Sequence, residues 1–130
     1  MSLTVPPALL DKVRHGHVEE AEFIDCVRTS LPYAWELVSN LIERLHAGTA
    51  EFADNQIPPP SEEARGQLLR MLSSDAMRSS IERHFGVALA FQNCHRLAVF
   101  RADAVGGSTH EEFVSPLAQL RNQSPELVNC

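Results

Sequence analysis

Apolar side chains recur every three or four positions from Tyr33 to His46, and polar residues fill the other side. This spacing is typical of one face of an α-helix, so the sequence predicts an amphipathic helix here. Its two apolar ridges suit packing against another helix, in the same chain or in a second copy. The apolar positions are Ala34, Leu37, Val38, Leu41, Ile42 and Leu45.

Two helices are predicted before this one. Pro6 and Pro7 suit a first helical turn, and Gly16 would end the helix that they begin. The second is predicted from Val18 to Leu31, after which Pro32 restarts the chain.

Acidic residues crowd the start of the second predicted helix. Their charge suits the positive end of the helix dipole, and a solvated acidic face is the simpler interpretation. The alternative is a docking surface for a basic partner. The residues are Glu19, Glu20, Glu22 and Asp25.

Two further helices are predicted between Ser61 and Gly86. Pro58–Pro60 force an extended approach, and the Ser61 hydroxyl can then accept a hydrogen bond from the first helical turn. The polar residues Ser73–Asp75 would end the first helix and cap the second. Gly86 supplies the stop.

After Gly86 the apolar period changes from helical to alternating. Alternation predicts a small β-hairpin over about Val87–Arg101, with a polar turn at Gln92–His95. One helix from Ala88 to Ala102 would also bury an apolar face, so both interpretations stay open. An isolated two-stranded hairpin is marginal in water, so we expect it to pack on the helices or to pair with another chain.

The remaining segments are predicted to be less regular. Thr49–Pro60 is expected to be a proline-rich connector tethered by its apolar residues, with a ligand-binding loop as the alternative. A short helix is predicted from His110 to Leu120, before a tail over Arg121–Cys130. The predicted fold class is mainly α: a compact single domain over residues 1–130 with about five helices and one small hairpin.

Composition is that of an ordinary globular protein. The 130 residues are 44% hydrophobic and 22% charged. No apolar run approaches the ~20 residues that cross a bilayer, and no secretion signal begins the chain, so we expect a cytoplasmic protein. The three cysteines lack zinc-type spacing and are expected to be reduced thiols. Only one of the eleven basic residues is lysine, which indicates a G+C-rich, for example actinobacterial, genome.

Charge is unevenly distributed along the chain. Six arginines lie between Ala64 and Arg101 against two acids, although the net charge of the whole chain is −6. We expect these arginines to pair with the acidic helices. The order helix, turn, helix and hairpin is also that of a winged-helix module, with Asp75–His84 as its recognition helix. The mixed charges of that helix argue against nucleic acid, which favours clustered positive charge.

One turn places a nucleophile beside a base. Cys94 and His95 are adjacent, and a thiolate nucleophile needs an imidazole within hydrogen-bond reach. Neighbours in a strand point to opposite faces, which argues against this couple unless the turn bends both the same way. Gln92, Asn93 and Arg96 are candidate ligand-binding groups. The alternative is a turn whose polar groups satisfy its own backbone.

These observations favour a non-catalytic accessory or regulatory protein that binds another protein, with no cofactor and no metal ion. We expect a homodimer through the Tyr33–His46 helix or the hairpin edge, with Trp35, Leu37 and Leu41 as interface candidates. A winged-helix-like nucleic-acid-binding regulator is one alternative. A small enzyme or metal-binding protein centred on the cysteine–histidine turn is the other.

Overall fold

The fold joins seven α-helices to a three-stranded antiparallel sheet within residues 2–93 and 95–121, the part of the chain that the computed structural model describes. Helices precede, interrupt and follow the strands. The elements are α1 (Pro7–Arg14), α2 (Glu20–Ser30), α3 (Pro32–Ala47), β1 (Phe52–Asp54), α4 (Glu62–Leu72), α5 (Asp75–Phe85), β2 (Val87–Gln92), β3 (Arg96–Arg101), α6 (Ser108–Phe113) and α7 (Pro116–Arg121), with a 3₁₀ turn at Ala102–Ala104.

A third strand makes the fold mixed α/β, so the prediction of a mainly α bundle with one small hairpin is wrong. β1 lies inside the predicted connector and pairs with β3, which gives the strand order β1-β3-β2. Three residues are too few to show an alternating pattern in the sequence. The strand forms because it pairs the second edge of β3, which a hairpin alone would leave open. Helices remain the larger part of the fold.

The hairpin itself lies where the sequence predicts it. β2 and β3 pair in register from Val87 with Arg101 to Gln92 with Arg96, which excludes the single-helix alternative. Gly86 ends α5 with φ 70°, a left-handed conformation that glycine adopts without steric cost.

Apolar side chains cover both faces of the sheet. The larger core cluster joins one face to α2–α5, and the helix-facing strand residues include Leu89, Leu97 and Val99. Ala98 and Phe100 point the other way and pack with Phe113 of α6. β3 is therefore the central strand and is buried on both sides.

The helix boundaries follow capping chemistry. The Ser61 and Ser74 hydroxyls accept hydrogen bonds from Ala64 N and Met77 N and thereby cap α4 and α5, as predicted. The single helix predicted over residues 110–120 is instead α6 and α7, because Pro116 lacks the N–H that a continuous helix needs. None of the helices in the described segments is long and apolar enough to cross a membrane.

Candidate functional site

The polar residues predicted in the β2–β3 turn meet Asp54 and Asn55 at one end of the sheet. Because β1 runs antiparallel to β3, its last residues lie beside the β2–β3 turn. We use the name polar corner for Asp54, Asn55, Gln92, Asn93, His95 and Arg96. Cys94 lies outside the described residues, so the predicted Cys94–His95 couple cannot be placed.

Asn55 ties β1 to the turn. Its Nδ2 donates to the carbonyl oxygen of His95 at 2.7 Å, and its Oδ1 accepts from the backbone N–H of Leu97 at 2.7 Å. The side chain is buried. These bonds extend the strand pairing beyond the end of β1, so Asn55 attaches the predicted connector to the hairpin.

Arg96 and Asp54 form an ion pair inside the polar corner. Arg96 Nε lies 2.7 Å and its terminal nitrogen 2.6 Å from Asp54 Oδ2, and the Asp54 side chain is 8% exposed. The guanidinium also stacks over the Phe113 ring at 5.1 Å. The positive charge of Arg96 is thus neutralised within the chain.

Two of the three candidate ligand-binding residues line one cavity. Gln92 and Arg96 face a cavity of about 260 Å³, together with Phe52, Thr109, Glu112, Phe113, Ala118 and Arg121. Gln92 Nε2 donates to the carbonyl oxygen of Phe113 at 2.6 Å. Asn93, the third candidate, instead bonds Gln119 through its backbone N–H at 3.0 Å. The amides of the corner therefore serve contacts within the protein.

His95 is buried, with 9% of its surface exposed. Among the residues that the structure describes, its Nδ1 has no hydrogen-bond partner. Burial lowers the pKa of His95, and the positive charges of Arg96 and Arg65 lower it further. Each of these effects disfavours the protonated imidazole relative to that of an exposed histidine. Among the described residues, no group of three metal-ligating side chains occurs.

The three interface candidates on α3 are buried to different extents. Leu41 is 1% exposed and belongs to the core of its own chain. Leu37 and Trp35 are partly buried against that core. The Trp35 ring lies 5.2 Å from the ring of Phe85. Most of the apolar stripe of α3 is used inside the chain.

Both arginines of the predicted recognition helix, Asp75–His84, are paired with acids. Arg78 lies 2.7 Å from Asp75, and Arg83 lies 3.0 Å from Glu20. Together with the Arg96 ion pair, these contacts neutralise three of the six arginines between Ala64 and Arg101, including both on the predicted recognition helix.

A second depression, which the sequence did not predict, lies between the start of α2 and α5. We call it the α2–α5 groove. Its volume is about 410 Å³, and it is lined by Val18, Glu19, Glu20, Phe23, Ala76, Ser79, Ser80 and Arg83. The feature of the sequence that could have indicated this groove is the helical spacing of small side chains on α5, at Ala76, Ser79 and Ser80.

Comparison with models of protein families gives a match over the full chain. A family model with the short name KH NucS shadow, described as NucS shadow ORF, matches residues 1–130. That description names a reading frame and not an activity. No curated protein and no solved structure matches the chain. The match covers the whole sequence, and the chain therefore belongs to the NucS shadow ORF family.

Proposed function

We propose that this protein is a non-catalytic cytoplasmic accessory protein that binds another protein through the α2–α5 groove. The groove carries the proposal. Its volume of about 410 Å³ lies within the range of ligand pockets. Val18, Phe23 and Ala76 give it apolar walls, and Val18 is 49% exposed, so this surface is accessible.

The groove suits an amphipathic segment of the partner. Ala76, Ser79 and Ser80 lie on one face of α5, and their small side chains allow another backbone to approach closely. Glu19 lies at the groove, is exposed and forms no ion pair with a described residue. A basic side chain beside the apolar stripe of the partner would complement it.

Nucleic acid is the less well-supported partner. The short name of the family begins with the letters KH. Nucleic-acid-binding modules called KH clamp four nucleotides with a GXXG loop. The chain has six glycines, and no two of them are three positions apart, so it contains no such loop. Arg78, Arg83 and Arg96 are paired with acids, Arg101 binds backbone carbonyl oxygens, and the net charge of the chain is −6.

Catalysis at the polar corner is also less well supported. Asn55 and Gln92 bind backbone groups of the protein, and Arg96 binds Asp54. A general base must reach the proton that it removes, whereas His95 is buried and its neighbours are cationic. These contacts support a structural role for the polar corner, in which its side chains stabilise the fold.

Affinity capture from the native cells tests the proposal. Tagged wild-type protein is compared with Ala76→Arg, which blocks the groove, and with Ala102→Arg, which adds the same charge at another exposed alanine. We expect a partner protein that the wild type and Ala102→Arg retain and Ala76→Arg loses. Equal recovery by all three would place the binding surface elsewhere, and no recovered protein even after chemical crosslinking would contradict protein binding itself.

A further inference from the structure

We propose that residues 2–14, which include α1, form a strap that opens away from α2 while the rest of the fold stays intact, and that this opening exposes the thiol of Cys26. We call this segment the α1 strap. The observation behind the proposal is that α1 buries no residue, whereas each of the other α-helices in the described part of the chain buries at least one. Burial of apolar surface is the main force that holds an element in a fold, so little free energy holds α1 in place.

A cavity lies between α1 and α2. Its volume is about 320 Å³, and its walls include Leu9 of α1 and Cys26 and Thr29 of α2. Two further apolar side chains of α1, Leu10 and Val13, are exposed. The apolar side chains of α1 are therefore not closely packed on α2, and opening of the α1 strap breaks few apolar contacts.

The link between the two helices permits this motion. Residues 15–19 connect α1 to α2, and all five are exposed. Gly16 among them has φ 75°, in the left-handed region, and glycine changes its backbone conformation without steric cost. The link can therefore act as the hinge of the α1 strap.

Polar contacts near the surface hold the α1 strap closed. Lys12 Nζ lies 2.7 Å from Glu22 Oε2 of α2, and 51% of the Lys12 side chain is exposed. The backbone N–H of Thr4 donates to Ser30 Oγ at 2.9 Å. Leu3 packs against the core but is only partly buried. Exposed ion pairs stabilise a fold weakly and are screened by salt, so these contacts can break while the core stays packed.

The closed α1 strap covers Cys26. The Cys26 thiol donates to the carbonyl oxygen of Thr4 at 3.4 Å, and Cys26 is 4% exposed. Its neighbours on α2, Ile24 and Val27, belong to the core cluster, whereas Cys26 lines the cavity beside α1. Opening of the α1 strap therefore uncovers the thiol without opening the core. Because a buried thiol is inert, the position of the α1 strap controls the reactivity of Cys26.

The rate at which N-ethylmaleimide labels Cys26 in the full chain measures the opening. Cys94 and Cys130 are replaced by serine in every protein, so that Cys26 is the remaining thiol. Lys12→Glu breaks the ion pair with Glu22. Arg14→Glu is the matched control, because Arg14 carries the same charge in the last turn of α1 and forms no ion pair with a described residue. We expect labelling at least about threefold faster in Lys12→Glu, and the unsubstituted rate in Arg14→Glu.

Urea and salt separate opening of the α1 strap from unfolding of the whole chain. Opening exposes little surface, so low urea concentrations should barely change the labelling rate. Sodium chloride should accelerate labelling of the unsubstituted protein, because it screens the Lys12–Glu22 pair, and should not accelerate labelling of Lys12→Glu. Ser30→Ala removes the acceptor of Thr4 and should also label faster, which provides a second variant if Lys12→Glu fails to fold. An unchanged rate in the variant that folds, or a rate that follows global unfolding in urea, would overturn the proposal.

Discussion

The carboxylate of Glu82 accepts a 2.8 Å hydrogen bond from the backbone N–H of Leu89. β2 is an edge strand of the sheet, so an N–H that points away from β3 has no strand to pair with. Exposed strand edges invite pairing with another chain, and proteins commonly protect them. Glu82, on the helix α5 that directly precedes β2, supplies that protection from within the same chain.

Removal of this acceptor should expose the β2 edge. In Glu82→Ala the Leu89 N–H loses its partner, and we expect stronger self-association with increasing protein concentration than in the wild type. Glu82→Gln is the control, because its amide oxygen can still accept the bond. Multi-angle light scattering measures the mass of each variant. Identical concentration dependence in all three proteins would show that Glu82 does not protect the edge.

The Asp54–Arg96 ion pair should contribute more to stability than the ion pairs on the surface. Asp54→Asn leaves Arg96 without its counter-charge in a largely buried site, and we expect a loss of about 3 kcal/mol in the free energy of unfolding. Asp75→Asn breaks the exposed pair with Arg78 and should cost about 0.5 kcal/mol. Urea denaturation measures both. Equal losses would contradict the role assigned to Asp54.

Substitution of Leu41 tests whether this residue lies in the core of its own chain or in a dimer interface. Leu41→Ala should lower the free energy of unfolding by about 2–5 kcal/mol, because it leaves a cavity in the core. Leu37→Ala should lower the free energy of unfolding by less, because Leu37 is only partly buried. Thermal unfolding at several protein concentrations checks the origin of the loss. A midpoint shift that grows with dilution would instead place Leu41 in a dimer interface, as the sequence predicted.

Stability should fall on mild acidification because of His95. Burial, Arg96 and Arg65 lower its folded-state pKa, whereas the unfolded chain titrates near ~6.5. Between the folded value and ~6.5 the unfolded state binds more protons, so stability present at higher pH is lost as the pH falls through this window. Thermal midpoints between about pH 7 and 5 should fall less for His95→Gln than for the wild type. Parallel curves would refute this linkage.

The sequence predicted the elements whose signals are local. Helical spacing located α3, serines marked the starts of α4 and α5, and Gly86 marked the end of α5. β1 was missed because a three-residue strand is defined by its partner and not by its own pattern. β3 was ambiguous because both of its faces are buried, so Leu97–Phe100 are continuously apolar and show no polar alternation.

The candidate sites were predicted only in part. The turn at residues 92–96 was recognised by its polar residues, and Gln92 and Arg96 do line one cavity. Their partners Asp54 and Asn55 are about 40 positions away in sequence, and only the β1–β3 pairing brings them together. The α2–α5 groove likewise depends on how two helices pack, which the pattern of either helix does not specify.

Site-directed photocrosslinking from the groove tests protein binding most directly. A photoreactive amino acid at Ser79, which lines the groove, is compared with one at the exposed Ala102 outside it, in cells that make the protein. We predict a crosslinked partner protein from position 79 and none from position 102. Crosslinks from position 102 with none from position 79 would contradict the account of the groove.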